Sequence, residues 1–257
     1  LDAVCIGHSH SATIAEAAAA SGTDLEVLNF WNLPGAIVTD DGPVHFAPHV
    51  RARLRAPAFS LIGGAVHYDI GLLLHRTPFD FIDPAAPDDP LVPGATLIPY
   101  GAIRAAMEVR TRPFLDIMDL VRQAVDGPVF HMQSPPVYAD EQVHENDPGW
   151  VAYHGNGRAV APAPFRRKLW RMHSAIVAAH CAAGGITFVP CPAASMDPAG
   201  YLRAGLNGRP AHANAAYGAL VIDQMYQLLE PPARAPGLGL RLWQRFGKTA
   251  RPLSPTR

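Results

Sequence analysis

Two stretches far apart in the chain carry side chains that could make an activated nucleophile. Near the start, Gly7-His8-Ser9-His10-Ser11 sets serine hydroxyls among imidazoles, and near the end His212-Ala213-Asn214 opens a helical pattern. A serine hydroxyl attacks poorly until a base within hydrogen-bond reach takes its proton, and histidine, which titrates near neutrality, suits that task. With Ser9 as nucleophile and a histidine as base, the chemistry would be acyl transfer through a covalent intermediate. The same residue types also cap helices, so the first motif alone fits a plain N-terminal cap equally well.

Those residues need a scaffold that brings them together. The run Ala3–Gly7 reads as a strand ending in glycine, and Ala12–Ala20 as a helix stopped by Ser21-Gly22. Further apolar runs at Leu25–Phe30, Phe59–Ile62, Pro128–Met132 and Ile186–Val189 read as strands. Helical spacing covers Leu97–Val125, where Pro113 must kink or divide the element, then Phe165–Ala183 and Ala213–Leu229. Alternation of strands and helices requires crossovers and hence a parallel sheet. The expected fold is α/β, a flavodoxin-like three-layer αβα sandwich with about five parallel strands.

In open sheets of this kind ligands bind at the carboxyl edge. Gly7-His8-Ser9, Pro34-Gly35, Gly63-Gly64 and Gln133-Ser134 all follow strand ends and should share that rim. Ser9 would stand at the start of the first helix, where backbone amides and the helix dipole favour an oxyanion.

In their order along the chain these segments resemble the SGNH (GDSL-like) hydrolase family as far as about Leu229. Gly7-His8-Ser9 is similar to its first block, Gly35 to the glycine of its second, Ile62-Gly63-Gly64-Ala65-Val66-His67 to its third, and His212-Ala213-Asn214 with Tyr217-Gly218 to its last. The resemblance implies an esterase in which Ser9 attacks, His212 acts as base, and the amides of Ser9, Gly35 and Gly64 face the oxyanion. Three positions depart from the pattern. Ala65 replaces the asparagine that donates to the oxyanion, Arg209 replaces the aspartate that orients the histidine, and His8 replaces an aspartate before the serine. A cation cannot accept the imidazole N–H, so a backbone carbonyl or a distant carboxylate such as Asp197 would have to orient His212, or a Ser-His dyad acts alone. His8, His67, Arg209 and Asn214 are the candidate substrate contacts. The implied substrate is a small carboxylic ester, an O-acyl sugar or metabolite among the options, with no cofactor.

Two other readings compete. Ala65 and Arg209 would also suit an idle SGNH-like domain that binds a ligand or partner in the cleft. The twelve histidines invite a metal-dependent hydrolase, with His8, His10, His67, Asp69, His75 and His131 at or near strand ends. Gly7-His8-Ser9-His10 resembles the closing GHxH motif of metallophosphoesterases, but the opening DxH and GNH-type blocks do not precede it, and no metal is assigned.

The bulk numbers bound the answer. With 257 residues, 49% hydrophobic and 17% charged, the chain can bury one sizeable core. A net charge of -1 supplies no field for nucleic acid. Three cysteines without a CxxC pair fit reduced thiols and a cytoplasmic setting. Residues 1–231 are expected to form the domain and 232–257 a basic Pro/Arg-rich tail, for which membrane contact is open but not favoured. Two Pro- and Asp-rich or polar stretches, Thr77–Pro99 and Pro135–Pro164, could form a lid or substrate wall.

Overall fold

The apolar runs that end at Gly7 and at Gly63-Gly64 become neighbouring strands of one sheet. The computed structural model describes residues 2–39, 44–140, 158–208 and 212–230. Arg209, the middle of the long polar loop and the basic tail lie outside them. Five strands, β1 (Val4–Gly7), β2 (Glu26–Asn29), β5 (Ala58–Leu61), β8 (Val129–Met132) and β9 (Thr187–Val189), pair in the order β2-β1-β5-β8-β9. All four pairings are parallel, so the domain is a flavodoxin-like α/β sandwich, as expected. Short two-stranded pairs, β3 (Ile37–Val38) with β4 (His45–Phe46) and β6 (Phe79–Asp80) with β7 (Thr96–Leu97), decorate it.

The central strands are buried on both faces, because helices cover each side. One apolar cluster joins Val4, Ile6, Met107, Met118 and Leu169 beneath α4 (Tyr100–Ala124) and α5 (Ala163–Gly184). The other joins Cys5, Ile14, Phe59, Tyr217 and Met225 beneath α1 (His10–Ser21) and α6 (Ala215–Leu229). The three cysteines are free and buried, and burial pushes the Cys181 thiol up to about 12 and Cys191 to about 11, which leaves them unreactive thiols. Among the described residues no helix is long and apolar enough to cross a membrane.

Pro113 does not divide α4, which runs unbroken for 25 residues. Proline frees the carbonyl four positions earlier, and Val109 is strongly exposed, so water can satisfy that group. Two short helices, α2 (Pro48–Arg51) and α3 (Val66–Gly71), were not expected from spacing.

The acidic stretch 77–99 is a strap pinned to α5. Asp80 is 0% exposed; its Oδ1 accepts from Lys168 Nζ at 2.5 Å and from the Phe81 amide at 2.7 Å, and its Oδ2 accepts from the Val92 amide at 2.8 Å. Arg171 bridges Asp83 and Asp89, and Arg167 reaches Asp89. A buried ion pair gains little over an apolar pair, but losing one partner strands the other charge. Lys168→Met is therefore expected to cost at least about 3 kcal/mol in chemical denaturation, with part of the loss recovered in Lys168→Met/Asp80→Leu. Equal stability of the single variant and wild type would contradict this fastening.

Candidate active site

Ser9 is set at the carboxyl edge of the sheet by glycine and by a helix start. Gly7 ends β1 so close to β5 that a Cβ there would lie 2.7 Å from the Leu61 carbonyl oxygen. The chain then turns straight into α1. Ser9 occupies the position before its first residue, already in helical conformation (φ −52°, ψ −34°), and its hydroxyl makes no capping bond. Local capping falls instead to Ser11, whose Oγ donates to the His8 carbonyl at 2.6 Å. The Ser11 and Ala12 amides are taken by the carbonyls of His8 and Ser9.

His212 arrives from the other end of the chain, three residues before α6. Asn214 caps that helix, its Oδ1 accepting from the Ala216 and Tyr217 amides. Its Nδ2 donates to the carbonyls of Gly205 and Asn207. The amide thus spends its oxygen on the start of α6 and its nitrogen on the segment leading to His212, so Asn214 frames the site and does not reach for substrate.

The starts of α1 and α6 are locked together. A Cβ on Gly218 would fall 2.5 Å from the Thr13 carbonyl oxygen and 2.8 Å from Ala17 Cβ, so only glycine lets the helices approach this closely. Thr13 Oγ1 donates to the Ala213 carbonyl at 3.0 Å, tying the residue after His212 to the helix that carries Ser9. Between them lies an open groove of about 420 Å³ lined by Ser9, Ala12, Thr13, Glu16, Asn29, Trp31, Gly208, His212, Ala213 and Asn214. Ser9 and His212, separated by some two hundred positions, share it. His10 meets the His212 ring edge-on, with centroids 5.1 Å apart.

Other expected site residues fall elsewhere. Gly35 is exposed, with φ +69°, and is outside the groove lining. Gly64 packs against His10; a Cβ there would lie 2.3 Å from the His10 Nδ1. His8 sits beside the groove in an aromatic cluster, 5.0 Å from Phe30 and 5.2 Å from Phe114 between ring centroids. Burial lowers its pKa, so it is a neutral ring. His67 is buried against Tyr68 and His173 and does not line the groove. Asp197 serves its own turn, Oδ1 accepting from the Ala199 and Tyr201 amides. Ala65 stands just before α3, where no side-chain donor exists.

Trp31 is a groove residue that sequence spacing did not single out. It follows β2, its amide is held by Asn29 Oδ1 at 3.0 Å, and its ring is 73% exposed, an apolar platform at the mouth of the groove. Its position just past a strand end was the available signal. Among the described residues no group of three or more His, Cys, Asp or Glu is arranged to hold a metal ion.

These features define a doubly wound α/β domain with its groove at the carboxyl edge of the sheet. No protein-family model matches the chain, and no curated protein matches it by sequence. Among solved structures it is similar in chain course to a Bacteroides fragilis NCTC 9343 protein named as a presumed acylhydrolase, at TM-score 0.46 and 7% identity over 88% of this chain and 85% of that one. It is also similar to a Streptococcus pneumoniae protein named as a presumed platelet activating factor, at TM-score 0.41 and 16% identity over 88% and 83% of the two chains. Likenesses this distant do not bear on chemistry.

Proposed function

We propose that this chain is a serine hydrolase of carboxylic esters, of the SGNH type, working through a Ser9–His212 dyad. The reading rests on one observation: Ser9 and His212 line the same open groove, at the starts of two helices held in close contact. Ser9 Oγ attacks the ester carbonyl carbon while His212 takes its proton. The tetrahedral oxyanion draws on the Ser9 amide and the dipole at the start of α1. Collapse expels the alcohol, which takes the proton back from His212, and water then attacks the acyl-Ser9 with His212 again as base. Trp31 and the polar residues around it suit a small ester whose alcohol or acyl part presents a flat or hydroxylated face.

Ala65 favours a second reading, a ligand-binding domain without turnover, because one side-chain donor to the oxyanion is missing. Hydrolysis of p-nitrophenyl acetate separates the two. The esterase reading expects turnover above background that Ser9→Ala lowers by about a thousandfold or more while thermal unfolding is unchanged. Turnover that survives in Ser9→Ala would overturn it.

A further inference from the structure

Among the described residues, the segment that delivers His212 is held by more than its own backbone. Residues 206–208 pair with residues 212–214: the Asn214 amide donates to the Leu206 carbonyl at 2.9 Å, and the Gly208 amide to the His212 carbonyl at 3.0 Å. A buried phenol stands beneath this loop. Tyr138, 1% exposed, accepts with its hydroxyl oxygen from the Gly208 amide at 3.4 Å and also hydrogen-bonds the backbone of His212. Burial keeps that phenol neutral at any ordinary pH.

Tyr138 is itself fixed from below. Its carbonyl accepts from Arg166 Nη1 at 2.8 Å, and Arg166, fully buried on α5, also donates through Nε to the Ala161 carbonyl at 2.7 Å and through Nη2 to Asp140 Oδ1 at 2.5 Å. A rigid chain of contacts thus runs from α5 through Tyr138 to the peptide that carries the His212 ring. We infer that Tyr138 is a positioning residue for His212, its hydroxyl anchoring the loop backbone so that the imidazole stays where Ser9 can use it. This inference rests on the Ser9–His212 reading. Misplacement of a catalytic group by about 1 Å can cost a hundredfold in rate, so a single backbone anchor matters to chemistry more than to substrate binding.

The test is Tyr138→Phe, read by the rate of Ser9 labelling with a fluorophosphonate and by kcat and KM for p-nitrophenyl acetate. The expected result is labelling and kcat slowed by about 10- to 100-fold, with KM within about twofold of wild type. Tyr68→Phe is the control: it removes a buried hydroxyl bonded to the Tyr138 backbone but not to the His212 loop, and should label at the wild-type rate. Wild-type labelling in Tyr138→Phe, or equal slowing in Tyr68→Phe, overturns the positioning role while leaving the esterase reading intact. Wild-type protein that neither labels nor turns over removes both. Independently of any variant, the His212 amide should be protected from hydrogen exchange in the wild-type protein, and free exchange would refute the anchor.

Discussion

Alanine at His212 is expected to slow ester turnover and fluorophosphonate labelling of Ser9 by about a thousandfold, with little change in the unfolding midpoint. The imidazole is half-buried at the groove, so its removal costs little packing, while the backbone bonds that shape the loop remain. What disappears is the base. The Ser9 hydroxyl makes no capping bond that could stand in for one, and the nearby His10 ring packs against Gly64 at the back of the site. Burial of His10 leaves it poorly placed to accept a proton from a nucleophile on the open side. A His212→Ala protein that labels at the wild-type rate would mean that the base lies elsewhere. Stopped-assay labelling at several pH values makes the comparison direct.

Mild acid is expected to destabilise the protein. His67, His131 and His173 are buried, and burial holds each below the ordinary imidazole value, His173 at about 4 and His131 at about 3. Neither ring nitrogen of His67 or His173 has a hydrogen-bond partner among the described residues. In the unfolded chain these rings take up protons near pH 6.5, whereas in the folded protein they resist protonation. The unfolded state therefore binds more protons between about pH 6.5 and pH 4, and stability that is fully present above this window is lost as the pH falls through it. His131 and His173 together account for roughly 4 kcal/mol between pH 7 and pH 5, and His67 adds to the loss in the same direction. Urea denaturation at the two pH values checks this. Equal stability at both would contradict the buried neutral histidines, and His173→Leu should flatten the pH dependence.

The sheet and its rim were legible because their causes are local. An apolar run ending at Gly7, or at Gly63-Gly64, carries its own stop signal, and the helix opened by Asn214 carries its own cap. Ser9 and His212 could be placed for the same reason: each stands next to an element boundary written in neighbouring residues. Contacts set at long range had no such mark. The Lys168–Asp80 pair spans 88 positions, and nothing in the Pro- and Asp-rich stretch distinguishes a pinned strap from a lid. Tyr138 sits 70 positions from the Gly208 amide it holds, in a segment without periodicity. Six-residue α3 shows less than two turns of pattern, too little for spacing to mark it. The Asp197 carboxylate, a distant candidate to orient His212, holds its own turn instead, a local use that an Asp followed by Pro-Ala-Gly signals.

The claim at the centre is that the Ser9 hydroxyl is a nucleophile made reactive by its neighbour across the groove. Intact-mass analysis and peptide mapping after treatment with a fluorophosphonate test it in one step. The expected result is a single adduct on Ser9, absent from Ser9→Ala and slow to form in His212→Ala. No adduct on the wild-type protein, or one carried by a different serine, would contradict it.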